Sequence, residues 1–76
     1  MRDLVNELVE TRINGNSIKG NSTYEKMLKR VSFTEIASYA RYMSCSWNYE
    51  DIGRSQKLDL IEIIRNCIEK QNKKEK

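Results

Sequence analysis

Ser22-Thr23-Tyr24-Glu25 and Ser32-Phe33-Thr34-Glu35 are the two stretches that decide the fold of this 76-residue chain. Each has the spacing of a capping box. In that motif the serine hydroxyl accepts a hydrogen bond from the backbone N–H three residues later, and the glutamate accepts one from the serine N–H. Apolar residues at helical spacing follow each box. The motifs predict two helices separated by a short break near Ser32, although one bent helix also fits the pattern.

Amphipathic helices are also expected at both ends of the chain. The amino-terminal pattern indicates a helix over 2–13, which Asn14 and Gly15 end because both tolerate a left-handed backbone. The carboxyl-terminal pattern indicates a helix over 55–71 with Ser55 as its N-cap. Its broad apolar face consists of Leu60, Ile61, Ile63, Ile64, Cys67 and Ile68. We therefore expect an all-α bundle of four short helices with the last helix at its centre.

Two irregular segments connect these helices. The loop 14–21 contains one large apolar residue, Ile18, which predicts that the loop is pinned to the core. Residues 44–53 form a connector. In it we expect Ser46 to cap a single helical turn that runs to Ile52, and Gly53 to close that turn.

The length of the chain indicates a single domain, residues 1–76, with a modest core. The chain carries fourteen basic and eleven acidic residues, a net charge of +3. Residues 65–76 hold five basic and two acidic residues, so this stretch supplies a net +3 by itself. We expect a basic, frayed tail over about residues 72–76. It is either a solvated helix end or a phosphate-seeking segment.

Composition argues against an enzyme. The chain has no histidine and no glycine-rich phosphate loop, so its serines and cysteines lack the usual base. Glu50 and Asp51 have no third carboxylate at a suitable spacing. Two cysteines are too few for a zinc site. We expect no catalytic residue, no metal and no cofactor.

The sequence also predicts a cytoplasmic location. The first residues lead into an amphipathic segment without the apolar stretch of a signal peptide, and no apolar run approaches the ~18 residues of a membrane span. We therefore expect Cys45 and Cys67 to be reduced thiols, with a single disulfide as the alternative, and expect no membrane partner.

Two groups of residues are candidates for binding nucleic acid. The first is a basic stripe opposite the apolar face of the second helix, where an ordinary solvated face is the alternative. Its members are Lys26, Lys29 and Arg30. The second interleaves cations with aromatic rings around the connector, where covering the end of the core is the alternative. Its members are Arg41, Trp47, Tyr49, Arg54 and Lys57, with Tyr42 nearby in sequence.

Residues 33–68 resemble the HRDC module, the helical domain appended to RecQ helicases and RNase D. Thr34-Glu35-Ile36-Ala37 is similar to the start of that family's first matching helix, and 46–52 is similar to its short capped helix. The stretch 52–58 is similar to its glycine turn and basic helix start. The chain departs from the family by lacking the proline before the short helix and the second glycine of the turn. It also has one extra residue before Lys57, and Leu60-Ile61 replaces the usual Tyr-Gly.

The resemblance implies an HRDC-like fold that helps to place a helicase on branched or single-stranded DNA. Only Arg54 and Lys57 match the family's basic turn. The chain's size and composition are similar to those of small accessory proteins of T4-like phages, which implies the host cytoplasm. We therefore expect a weak nucleic-acid-binding module that acts with a helicase in DNA recombination, repair or replication. The alternative is a phage-type protein–protein adaptor, or an inhibitor of a host enzyme, that binds no nucleic acid.

Overall fold

The protein is all-helical, as the sequence predicts. The computed structural model describes residues 3–74. Its elements are α1 (Leu4–Ile13), α2 (Ser22–Arg30), α3 (Phe33–Tyr42), a single 3₁₀ turn (Tyr49–Asp51) and α4 (Gln56–Lys74). No strand occurs within 3–74, and the four α-helices pack as a small bundle.

Helix α4 forms the centre of the bundle and packs mainly on α1 and then on α3. Leu60, Ile61 and Ile64 of α4 are fully buried. They share the core with Leu8, Val9, Ile36 and Ala40 from α1 and α3. The predicted apolar face of the last helix is therefore confirmed. Ile18 is only 1% exposed, which confirms that it pins the loop between α1 and α2.

The second capping box forms as predicted and separates α2 from α3. The Glu35 N–H donates to Ser32 Oγ at 3.1 Å, and the Ser32 N–H donates to Glu35 Oε1 at 2.9 Å. Val31 and Ser32 are both extended, with ψ angles of 147° and 158°. A single continuous bent helix is therefore excluded.

The first capping box was predicted one residue too late. Asn21, not Ser22, is the N-cap of α2, and its Oδ1 accepts from the Thr23 N–H at 3.1 Å. Glu25 Oε2 accepts from the Gly20 N–H at 2.7 Å instead of from the Ser22 N–H. Gly20 has a φ of +90°, a backbone conformation that glycine adopts readily. Asn21 serves as the N-cap because asparagine is as good an acceptor as serine and Asn21 precedes Ser22 in the chain.

The connector also differs from the prediction. Its short turn begins after Asn48, which makes no side-chain cap, and Ser46 is exposed without capping any helix. The backbone stays irregular from Cys45 to Asn48, so no helix begins directly after Ser46. Gly53 does contribute to the next helix, since its N–H donates to Asp59 Oδ2 at 2.7 Å.

Two helices end in the same hydrogen-bond pattern, the Schellman motif. After α1, the Gly15 N–H donates to Arg12 O and the Asn16 N–H to Thr11 O, both at 3.0 Å. After α3, the Ser44 N–H donates to Arg41 O at 3.0 Å and the Cys45 N–H to Ala40 O at 2.8 Å. The left-handed position is Gly15 (φ +88°) in one case and Ser44 (φ +60°) in the other.

Both ends of the chain have helix boundaries close to those predicted. Asp3 caps α1, accepting from the Val5 N–H at 3.0 Å, so the helix begins at Leu4; Arg2 lies outside the described residues. Helix α4 begins at Gln56, directly after Ser55, and continues through Lys74. The first residues of the predicted frayed tail are thus helical, and 75–76 lie outside the described residues.

Candidate nucleic-acid interface

The junction between α2 and α3 (residues 28–33) lies against residues 47–57, which run from the connector into the start of α4, and we call the surface that they form the seam. Lys57 Nζ donates to Leu28 O across it at 3.1 Å. The Phe33 ring contacts Trp47 edge-on, with ring centroids 5.6 Å apart, and stacks beside Tyr49 at 6.3 Å. The seam therefore brings together residues from both groups of candidates.

Three cations of the seam are exposed. Lys29 and Arg30 end α2, and Arg54 lines a shallow hollow together with Leu28 and Lys57. Within residues 3–74, none of these three exposed side chains forms an ion pair. Their charge is therefore free to interact with a phosphate backbone.

Lys57 has a structural contact as well as a charge. Its ammonium group bonds one of the last carbonyls of α2, at the end where the helix dipole favours a cation. The side chain is half-buried as a result. Sequence reasoning gave Lys57 a binding role and did not anticipate this capping contact, because the carbonyl lies 29 residues earlier in the chain.

The aromatic residues of the seam differ in exposure. Trp47 is half-buried, with its ring edge-on to both Phe33 and Tyr49, which matches the alternative that it covers the core. Tyr49 lies 4.9 Å from Trp47, centroid to centroid, and is 74% exposed. Tyr49 is thus the ring of this cluster that can stack on a base. The sequence pattern assigned Phe33 to the inner face of α3 only, although Phe33 also supports Tyr49.

Other candidate residues lie outside the seam. Lys26 is exposed on α2, one turn before Arg30. Arg41 lines a separate hollow that Thr34, Ala37 and Trp47 also line. Tyr42 is 82% exposed and borders a groove with Tyr39 and Asp3. Arg41 and Tyr42 thus line hollows that contain none of the three exposed cations of the seam.

The seam also contains negative charge. Glu50 and Asp51 form most of the 3₁₀ turn and are exposed. They lie between Tyr49 and Arg54 in the chain, where a phosphate group would be repelled. Any anionic ligand of the seam therefore meets both attraction and repulsion.

A second group of charges, on α1 and α4, forms ion pairs, and we call this surface the paired face. Arg12 Nε donates to Glu62 Oε2, which ties α1 to α4. Arg65 donates to Glu62 and to Glu69, each at 3.1 Å, and Arg12 also donates to Asn16 O at 2.8 Å. The hydrogen bond from Arg12 lowers the pKa of Glu62 against the opposing effect of burial, and Arg65 lowers it further. The same pairing raises the pKa of Arg12.

Two classes of site are not found within 3–74. No group of three or more histidine, cysteine, aspartate or glutamate side chains there could hold a metal ion. None of the helices described combines the length and the apolar character needed to cross a membrane.

Comparison with known proteins finds no matching family model, no matching curated protein and no matching solved structure. The HRDC-like assignment therefore stays a prediction.

Proposed function

We propose that the protein binds nucleic acid weakly through the seam, as an accessory module for a helicase in recombination, repair or replication. The observation that carries this proposal is the combination of three exposed, unpaired cations with an exposed tyrosine on one surface. Cations that bind phosphates and rings that stack on bases are the two components of single-strand binding sites.

The exposure of each side chain in the seam determines which part of the nucleic acid it contacts. Arg54, Lys29 and Arg30 contact phosphates, since no carboxylate of residues 3–74 neutralises them. Tyr49 stacks on an unpaired base, held in place by Phe33 and Trp47. Stacking of this kind is worth ~1–3 kcal/mol per base. The requirement for an unpaired base favours single-stranded or forked DNA over a closed duplex.

Affinity should be low and dependent on salt. Few cations are available and Glu50 and Asp51 oppose them, so we expect dissociation constants in the ~10⁻⁴–10⁻⁶ M range of non-specific binding. The HRDC resemblance supports a helicase as the protein partner, because its one matching basic turn, at Arg54 and Lys57, lies in the seam. A weak module of this kind becomes effective when a partner holds it close to DNA.

The decisive experiment compares two matched double variants. The seam variant carries Arg30→Gln and Arg54→Gln, and the control carries Lys19→Gln and Lys70→Gln, exposed cations outside the seam. Both lower the net charge equally. Binding of fluorescent single-stranded and forked DNA is measured at several salt concentrations. For the seam variant we expect weaker binding, and a salt slope flatter by ~0.7 for each lost single-strand contact.

Two further variants separate the seam from the rest of the chain. Truncation after Gln71 removes the last basic residues and should leave most of the binding intact. Glu50→Gln removes repulsion from the seam and should strengthen binding. If truncation abolishes binding while the seam variant binds normally, the contact is simple tail electrostatics. If the intact protein shows no binding to either DNA at low salt, a protein–protein adaptor replaces this proposal.

A further inference from the structure

Cys45 and Cys67 come from distant parts of the chain and meet at one edge of the core. Cys45 follows the end of α3 and is buried, whereas Cys67 lies on α4 and is half-buried. Both are free thiols. Neither takes part in the seam.

A small hydrogen-bond cluster links the two thiols. Met43 O accepts from the Cys45 thiol at 3.7 Å and from Gln71 Nε2 at 3.1 Å. The same Gln71 amide lies 3.6 Å from Cys67 Sγ. Met43 O and the Gln71 amide therefore join the two thiols, which have no covalent bond, into one cluster between the end of α3 and α4.

We propose that Cys45 and Cys67 form a reversible disulfide, which fastens the start of the connector to α4. The chemical class of oxidant is a small-molecule disulfide such as oxidised glutathione. Because the bond would close the loop 45–67, its main effect is to restrict the unfolded chain.

The difference in burial sets the order of the two steps. Burial raises the pKa of Cys45 to about 12, and the neighbouring thiol of Cys67 adds to that shift. Cys67 borders an open cleft with Ser46 and Lys70, so an oxidant reaches it first. Cys45 then acts as the resolving thiol.

The reaction balances as two thiol–disulfide exchanges. Cys67 loses its proton and attacks one sulfur of oxidised glutathione; the glutathione S–S bond breaks and one glutathione thiolate leaves. Cys45 then loses its proton and attacks Cys67 Sγ, which expels the second glutathione. The protein gives up two protons and two electrons, and one glutathione disulfide becomes two glutathione thiols.

The test treats the folded full-length protein with oxidised glutathione and measures its intact mass and its thermal midpoint. We expect a monomer lighter by two hydrogen atoms, with no glutathione attached. Its Tm should rise by ~10 °C or more, and the rise should disappear after reduction. In Cys45→Ser, Cys67 should instead keep one glutathione. In Cys67→Ser, the buried Cys45 should stay unmodified.

Three results would overturn the proposal. One is wild-type protein that retains glutathione at both cysteines. Another is a disulfide-linked dimer as the main product. The third is a wild-type protein that keeps both thiols, while the Cys45→Ser variant readily takes up glutathione and is shown by circular dichroism to be folded. That result would show that Cys67 is accessible but that the two sulfurs cannot reach bonding geometry.

Discussion

The paired face and the seam contain the same kinds of charged residue but use them in different ways. On the paired face, two arginines and two glutamates neutralise one another and tie α1 to α4. In the seam, Lys29, Arg30 and Arg54 are exposed and unpaired, and the carboxylates of Glu50 and Asp51 are equally exposed. One surface uses charge to hold the fold together, and the other leaves it available to a ligand.

This difference shows why charge counting is a weak guide to function. The net charge of +3 in residues 65–76 predicted that basicity is largely a property of the tail. Arg65 belongs to that stretch, but Glu62 and Glu69 engage it in the folded protein. The seam has a smaller share of the net charge, but Lys29, Arg30 and Arg54 form no ion pair within residues 3–74.

The largest expected effect comes from a cavity in the core that α4 shares with α1 and α3. Ile64→Ala leaves a cavity at a fully buried position of α4 and should lower the free energy of unfolding by ~2–4 kcal/mol. Ile63→Ala is the matched control, because Ile63 is only half-buried and should cost less. Urea denaturation measures both values. A loss below ~0.5 kcal/mol for Ile64→Ala would show that this face of α4 is not core.

A smaller loss is expected from the cap that shapes the seam. Ser32→Ala removes the hydroxyl that accepts from the Glu35 N–H and should cost ~0.5–2 kcal/mol without changing any charge. Ser22→Ala is the matched control. Ser22 lies inside α2 and Asn21 caps that helix, so its loss should be close to neutral. Equal losses for the two variants, measured by thermal denaturation, would contradict the assignment of the caps.

The smallest effect tests the paired face itself. Glu62→Gln should lower stability at neutral pH by ~0.5–1 kcal/mol, because the side chains of Arg12 and Glu62 are 27% and 36% exposed and water screens the pair. The folded-state pKa of Glu62 is lowered, so its contribution is present above the ordinary glutamate pKa of ~4.3. That contribution is lost as the pH falls through the folded-state pKa.

Denaturation of wild type and Glu62→Gln across this pH range measures the difference directly. The two stabilities should converge in acid. Glu50→Gln is the counterpart from the seam and should leave stability unchanged at every pH, since Glu50 is exposed and joins none of the ion pairs within 3–74. If the difference in stability between wild type and Glu62→Gln did not change with pH, the ionised pair would contribute nothing to stability.

Local patterns in the sequence predicted most of the fold. The apolar face of α4 and the Ser32 box follow from residue spacing, and the burial of Ile18 follows from its being the one large apolar residue of its loop. The structure confirms all three. The cap of α2 was misplaced because Asn21 and Ser22 are both good caps, and spacing alone does not decide between neighbours. Ser46 failed as a cap because the next turn begins only at Tyr49, after Asn48.

The candidate site was only partly predictable, for a different reason. Its residue types were identified, but which cations are free depends on partners far away in the chain. Arg12 and Glu62 are 50 residues apart, and Lys57 bonds a carbonyl 29 residues earlier. Contacts between residues so far apart in the chain leave no pattern in the local sequence. The placement of Leu28 and Arg54 around one hollow is likewise a result of packing.

Helix α2 has a consequence for hydrogen exchange. It contains no fully buried residue and packs mainly on α1, and Lys57 bonds one of its last carbonyls. Helices with so little buried surface open locally at a low free-energy cost. The amide protons of α2 should therefore exchange with solvent faster than those of α4. A ligand bound to both Arg30 and Arg54 would slow that exchange. The exchange rate of the α2 amides would therefore show whether the seam is occupied.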